Sequence, residues 1–223
     1  MEKPINNEII NAYETIKPLI RKTPFLKSTY FSKLLNGEIF FKLENLQVTG
    51  SFKLRGALNK LLSLSSKQRK LGVISASTGN HGSALAYGAN RLGIQCSIIV
   101  PKEISKSKLK IMKGYVADIE HYGIDCIQCE KKAKMISLHS GRTYVSPYND
   151  YQVIVGQGTA GLEIGSQTRP LDIIFISVGG GGLISGVGTY LKSLWPNLKI
   201  VGCSPENSAV MIESIKAGKI LQL

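Results

Sequence analysis

The chain has 223 residues, 43% of them hydrophobic and 19% charged, and its 28 Lys and Arg against 15 Asp and Glu give a formal charge of +13. This profile belongs to a folded protein with one large or two small domains, and it excludes a disordered chain, a collagen, a coiled coil and a disulfide-stapled miniature. The densest basic runs, Lys102 to Lys113 and Lys131 to Lys134, lack the interleaved aromatics of a base-stacking surface, so they read as a solvated face that favours small anions over nucleic acid.

In chain order, Asn6 to Ile20 reads as a helix with Ile9, Ile10, Tyr13 and Ile16 on one face, stopped by Thr23-Pro24. Glu38 to Leu43 reads as a strand. A helix follows the Thr49-Gly50-Ser51 turn and runs to about Leu64. An alternation then begins. Strands are predicted at Val73 to Ala76, Cys96 to Val100, Asp118 to His121, Thr143 to Val145, Asp172 to Val178 and Lys199 to Cys203. The helices between and after them are Gly79 to Leu92, Ser105 to Lys113, Cys126 to Leu138, Val153 to Gln167, Leu183 to Leu194 and Ala209 to Ala217. This rhythm predicts an α/β fold built from βαβ units on parallel sheet. Apolar strands such as Ser97 to Val100 and Ile173 to Ile176 suit a sheet covered on both faces. Ligands of such sheets bind beyond the carboxyl ends of the strands.

No segment has the length to span a bilayer, and the opening MEKPINNEII has no apolar stretch before a cleavage site. A cytoplasmic protein without a membrane partner is expected. Cys126 and Cys129 form one C-x-x-C, but the nearest later histidine is His139 and no second pair exists. The cysteines therefore read as ordinary reduced residues and not as a zinc site.

Three loops between strands and helices carry candidate chemistry. Gly179-Gly180-Gly181-Gly182 follows an apolar strand and opens a helix. Without Cβ atoms its N–H groups can approach an anion closely, and the helix start adds positive charge, so phosphate is the natural guest. A nicotinamide dinucleotide is a weaker guest, because the strict G-x-G-x-x-G spacing is absent. Ser77-Thr78-Gly79-Asn80-His81-Gly82 offers hydroxyls, an amide and helix-start N–H groups, which suit a carboxylate; taken alone it reads as a plain capping motif with Thr78 or Asn80 as cap. His81 alone reads as a structural histidine. In Thr49 to Ala57, Lys53 follows a Gly-Ser turn beside Phe52 and near Arg55. A lysine in a dry pocket near a cation becomes a nucleophile toward aldehydes, whereas alone this one reads as an exposed first-turn lysine. Together, a phosphate loop, a carboxylate loop and an amine describe a pyridoxal phosphate enzyme acting on an amino acid.

The chain resembles the fold-type II pyridoxal phosphate enzymes, and within them the threonine/serine dehydratase and serine racemase group. The resemblance rests on Gly50-Ser-Phe-Lys-Leu-Arg-Gly-Ala57, Ser77-Thr-Gly-Asn-His-Gly82, Gly179-Gly-Gly-Gly182 and Gly156-Gln-Gly-Thr159, and runs from about Thr23 to the C-terminus. It implies two parallel-sheet lobes with pyridoxal 5′-phosphate between them: a large one from 1–70 and 148–223, incomplete at the C-terminus, and a small one from 71–147. It also implies roles. Lys53 forms the internal aldimine and moves protons at Cα. Phe52 packs on the cofactor ring, and Asn80 bonds its 3′-hydroxyl. Ser77, Thr78, Gly79 and His81 line the substrate carboxylate pocket, and Gly179, Gly180, Gly181 and Gly182 hold the phosphate. The implied reaction turns L-threonine or L-serine into a 2-oxo acid and ammonia.

The sequence departs from the family pattern in three places. Thr78 stands where dehydratases commonly have alanine and racemases have a serine that acts as second base. Racemisation is therefore the alternative activity, with Thr78 as its catalytic residue. The carboxylates of the racemases' divalent-cation site fall at Ser204 and Val210, so no metal is expected. The chain ends at Leu223, where family members continue, so a non-catalytic family member is a further alternative. The family is often dimeric, which makes a homodimer one option.

Overall fold

The computed structural model describes residues 4–115 and 117–221. Leu223, on which the expectation about the chain end rests, lies outside them. The first helix, α1 (Pro4–Ile16), gives way to a 3-10 turn at Lys17–Leu19 rather than running to Ile20. Pro18 is the reason: it cannot supply the N–H that would continue the helix. Two elements follow that the periodicity does not signal, a strand β1 (Phe25–Lys27) and a short helix α2 (Thr29–Leu34), capped by the Ser28 hydroxyl. β1 pairs antiparallel with β2 (Phe40–Lys42), Phe25 stacking on Phe40 with ring centroids 5.2 Å apart.

Next come α3 (Lys53–Leu62), which ends within two residues of the predicted Leu64, and a further helix α4 (Ser66–Leu71) that the sequence reading does not include. The break falls at Ser65, whose side chain forms a reciprocal capping box with Gln68. The alternation then proceeds as predicted: β3 (Val73–Ala76), α5 (Asn80–Arg91), β4 (Cys96–Val100), α6 (Lys106–Gly114), β5 (Asp118–His121), α7 (Cys126–Ser140) and β6 (Thr143–Tyr144). These strands form one parallel sheet in the order β5-β4-β3-β6. All positions of β3 and β4 are buried, as expected for strands covered on both faces.

The last part holds α8 (Tyr151–Gln167), β7 (Ile173–Ser177), α9 (Gly182–Leu194), β8 (Lys199–Cys203) and α10 (Val210–Ala217). β7 and β8 pair in parallel. The expectation that β7 is covered on both faces does not hold among the described residues: only Ile176 is buried, and Phe175 is 68% exposed. α9 covers one face of this pair, where Ile176, Val187, Leu191 and Leu198 cluster.

The main core joins α3, α5, β3 and β4 through Leu54, Leu58, Leu61, Val73, Leu85 and Ile98. Helices α8 and α9 approach closely because their glycines meet: a Cβ on Gly186 would lie 2.3 Å from the Ile154 carbonyl oxygen and 2.6 Å from the Gly158 nitrogen. Such backbone-to-backbone contact leaves no room for a side chain. Among the described residues no helix is long and apolar enough to cross a membrane. All four cysteines are free, and burial pushes the Cys96 and Cys129 thiols up, to about 12 and about 11.

Candidate functional site

Lys53 is the first residue of α3, directly after the turn at Gly50, where φ is +73°. Its Nζ donates to the Pro147 carbonyl at 2.6 Å and lies 5.3 Å from the Phe52 ring centroid. Burial makes the charged amine costly and pushes its pKa down to about 8. Of the two causes the sequence suggests, a dry pocket and a nearby cation, only the first acts here. Arg55 is not a cation beside Lys53, because it is fully buried and turned to two carboxylates.

Those carboxylates are Glu44 and Glu163. The Arg55 guanidinium donates through Nε and Nη2 to Glu44 at 2.9 and 2.8 Å, and through Nη1 and Nη2 to Glu163 at 2.9 and 2.8 Å. Lys42 Nζ adds bonds of 2.5 Å to Glu163, 2.8 Å to the Thr23 carbonyl and 2.8 Å to Gln167. Burial alone would raise the Glu163 carboxyl; its Arg55 and Lys42 partners outweigh that and hold it below the usual carboxylate range. This balanced set ties β2 and α3 to α8 and fixes the helix that begins with Lys53.

The second loop joins β3 to α5. The capping motif is built by neither Thr78 nor Asn80. Gly79 occupies the N-cap position, and Ser77 Oγ accepts from the Gly82 and Gly79 N–H groups at 3.0 and 3.3 Å. Thr78 and Gly79 are half-buried and Asn80 is exposed. His81 is buried, with Nε2 3.2 Å from the Val145 carbonyl. A carbonyl only accepts, so Nε2 carries the proton and Nδ1 holds a lone pair. That Nδ1 is buried without a partner. Burial, with Lys53 nearby, pushes the imidazole down to about 3, so the ring is neutral at physiological pH.

The third loop follows β7. Gly181 has φ +86°, a left-handed conformation that suits glycine, and α9 begins at Gly182. A Cβ on Gly180 would lie 2.2 Å from Tyr148 Cγ, and one on Gly182 would lie 3.1 Å from the Tyr148 carbonyl oxygen. Around Gly179 a Cβ would meet nothing within 4 Å. The loop thus presents bare backbone at the start of a thirteen-residue helix. Behind it, Ser204 Oγ donates to the Val178 carbonyl at 2.7 Å. Among the described residues no three His, Cys, Asp or Glu side chains cluster as metal ligands.

Sequence reasoning passed over the segment that brings the three loops together. Residues 145–150 run on from the carboxyl end of β6. The Val145 carbonyl lies against Ser75 Oγ at 2.7 Å as well as His81; the Pro147 carbonyl takes Lys53; Tyr148 lies against the glycine turn. The available signal was position, since ligands of parallel sheets gather at strand carboxyl ends. Gly156-Gln-Gly-Thr159 lies instead within α8. There Gly156 packs against the α3 backbone, and Gln157 Oε1 accepts from the Gly56 N–H at 3.3 Å, so this motif joins helices and lines no loop.

Residues 16–223 match the family of pyridoxal-phosphate dependent enzymes. Over 208 residues, or 93% of its length, the chain is 42% identical to a catabolic L-threonine dehydratase of Staphylococcus aureus strain USA300, and it spans 60% of that relative. It also superposes on solved structures. For a serine racemase of Dictyostelium discoideum the TM-score is 0.90 at 37% identity, covering 97% of this chain and 71% of that one. For the processed threonine deaminase isoform 2 of Solanum lycopersicum the TM-score is 0.94 at 32% identity, covering 100% of this chain and 62% of that one.

Proposed function

The chain belongs to the pyridoxal-phosphate dependent enzymes, and on that premise we propose that it carries the site of an ammonia-lyase converting L-threonine or L-serine to a 2-oxo acid and ammonia. The observation that carries this reading is the Lys53 amine, half-buried beside Phe52 and pushed down to about 8. An uncharged amine is what an aldehyde cofactor requires. The residues fit that cofactor in two further ways. At Gly179 the backbone lies open, with nothing within 4 Å of where a Cβ would stand, and His81 keeps a buried lone pair without a partner.

In this reading the N–H groups of Gly179 to Gly182 hold the cofactor phosphate, Phe52 packs on its ring and Asn80 bonds its 3′-hydroxyl. When bound, pyridoxal phosphate supplies a ring that withdraws electrons from the substrate Cα. Lys53 takes and returns the proton at that Cα. Thr78, Gly79 and the start of α5 receive the substrate carboxylate. Ser77 shapes this seat by holding two of its N–H groups, and His81 anchors the facing turn at Val145. The protein supplies position and charge complementarity, while the β-hydroxyl leaves as water. The same reading divides the chain into a cofactor-binding unit, 1–70 and 148–223, and a smaller one, 71–147. It places the protein in the cytoplasm, with a homodimer as the assembly to test.

The test is a titration of the purified chain with pyridoxal phosphate. A new absorbance band that borohydride removes, a pyridoxyl adduct on the Lys53 peptide and 2-oxo acid from L-threonine or L-serine support the reading. An adduct elsewhere, or a band unchanged in Lys53→Ala, overturns it. Racemisation is a second reading, favoured by the half-buried Thr78 in the carboxylate loop and by the likeness to a serine racemase. It predicts D-serine formation that Thr78→Ala abolishes while sparing elimination.

A further inference from the structure

Tyr148 belongs to none of the three motifs, yet it touches two separately packed parts of the molecule. Its ring lies against Gly180 so closely that a Cβ there would sit 2.2 Å from Cγ and 2.4 Å from Cδ2. Its backbone lies under Gly182, 3.1 to 3.2 Å from where a Cβ would stand. At the far end of the side chain, Oη donates to the Glu130 carboxylate, at 3.2 Å from Oε1 and 3.4 Å from Oε2. Glu130 belongs to α7, whose Cys129 and Ala133 pack beneath β3 and β4 with Ile74, Ala76 and Ile99. The glycine turn belongs to α9 and its separate cluster. One tyrosine therefore spans from the core under the carboxylate loop to the turn that opens α9.

We propose that Tyr148 is the positioning residue of the anion seat: its ring is the floor under Gly180, and its hydroxyl, held by Glu130, fixes that floor relative to α7. The inference rests on the reading of Gly179 to Gly182 as a phosphate site. Four glycines in a row give the turn freedom as well as access. A seat for an anion needs its donors held within a fraction of an ångström, and that restraint has to come from a neighbour. Tyr148 supplies it on the Gly180 and Gly182 side, while Gly179 is left open. The tie to Glu130 determines how far the tyrosine can slide. Lys134, on the next turn of α7, lies 3.7 Å from the same carboxylate and helps to hold it.

The test compares two probes differing only in the phosphate ester, pyridoxal phosphate and pyridoxal, titrated by absorbance against the wild-type chain, Tyr148→Phe, Tyr148→Ala, Glu130→Gln and Tyr148→Phe/Glu130→Gln. The readout is the ratio of the two dissociation constants. Wild type is expected to prefer the phosphorylated probe. Tyr148→Ala is expected to lower that preference at least tenfold while pyridoxal binding stays within about threefold. Tyr148→Phe and Glu130→Gln are each expected to lower it about threefold, with the double variant no worse than either single one, because both remove the same tie. An unchanged ratio in Tyr148→Ala, equal loss of both probes, or additive single effects would overturn the proposal. If Tyr148→Ala fails to fold by circular dichroism, the Phe and Gln variants decide it. A wild type without preference for the phosphate would instead remove the phosphate-site reading itself, and this inference with it.

Discussion

Lys53 and His81 are anchored to carbonyls two residues apart on one turn. Lys53 Nζ donates to Pro147 at 2.6 Å and His81 Nε2 to Val145 at 3.2 Å. An amine from α3 and an imidazole from α5 are thereby fixed to the same short stretch of backbone. His81 is buried and Lys53 half-buried, and each is pushed toward its neutral form.

The amine gives the most direct prediction. With a pKa of about 8 rather than 10.5, roughly a tenth of Lys53 is uncharged at pH 7, against far less than a hundredth for an ordinary lysine. Reductive methylation followed by peptide mass spectrometry should give a Lys53 labelling rate that rises with pH to half its maximum near pH 8. A profile still climbing steeply above pH 10 would contradict the burial argument.

His81 should make the fold acid-sensitive. Its folded pKa is about 3, below the 6.5 of a free imidazole, so the unfolded chain binds a proton that the folded one refuses. Stability is then unaffected above pH 6.5 and is lost as pH falls from 6.5 toward 3. At pH 4.5 the loss from this residue is about 2–3 kcal/mol. Urea unfolding at pH 7 and pH 4.5 should show a smaller acid loss for His81→Gln than for wild type. Equal losses would remove His81 from the account.

Two glycines should separate folding from ligand binding. Gly186→Ala pushes a Cβ into backbone atoms of α8 and is expected to cost ~1–3 kcal/mol of stability. Gly179→Ala meets nothing within 4 Å and should leave the unfolding midpoint unchanged. It should nevertheless weaken pyridoxal phosphate binding several-fold, by keeping the phosphate from the N–H groups. Unchanged binding in Gly179→Ala would count against the turn as the phosphate seat.

Glu163→Ala removes one carboxylate from the buried set and leaves Arg55 and Lys42 undercompensated. Breaking a buried pair in this way costs ~3–5 kcal/mol. Denaturant unfolding is the measure, and a change within 0.5 kcal/mol, the scale of a surface substitution, would show that water reaches the network.

The alternation from Val73 to Cys203 was legible because strands such as β3, β4 and β7 are short apolar runs between helical stretches, although β5 (Asp118–His121) is largely polar. The strand at Phe25–Lys27 was not, since three residues are too few for an alternation to show. The four glycines and the Ser77 to Gly82 loop were legible as turns between a strand and a helix, and the structure places each of them there. The role of Pro147 was not, because it acts through a backbone carbonyl, which every residue carries. Arg55 was misassigned because adjacency in sequence was taken for adjacency in space. On α3, Arg55 instead finds carboxylates from outside that helix, Glu44 at 2.8 Å and Glu163 at 2.8 Å.

That same quartet of Lys42, Glu44, Arg55 and Glu163 constrains how this sequence can drift. Its charges cancel, two against two, so any single replacement that alters charge passes through a state with an unmatched ion in the interior. The four positions, spread over more than a hundred residues of chain, can therefore be exchanged only in charge-balanced combinations. A designer recombining segments of this protein with those of a relative would have to move β2 with the turn that carries Glu44, the start of α3 and the C-terminal part of α8 together, or risk an unmatched ion at a junction.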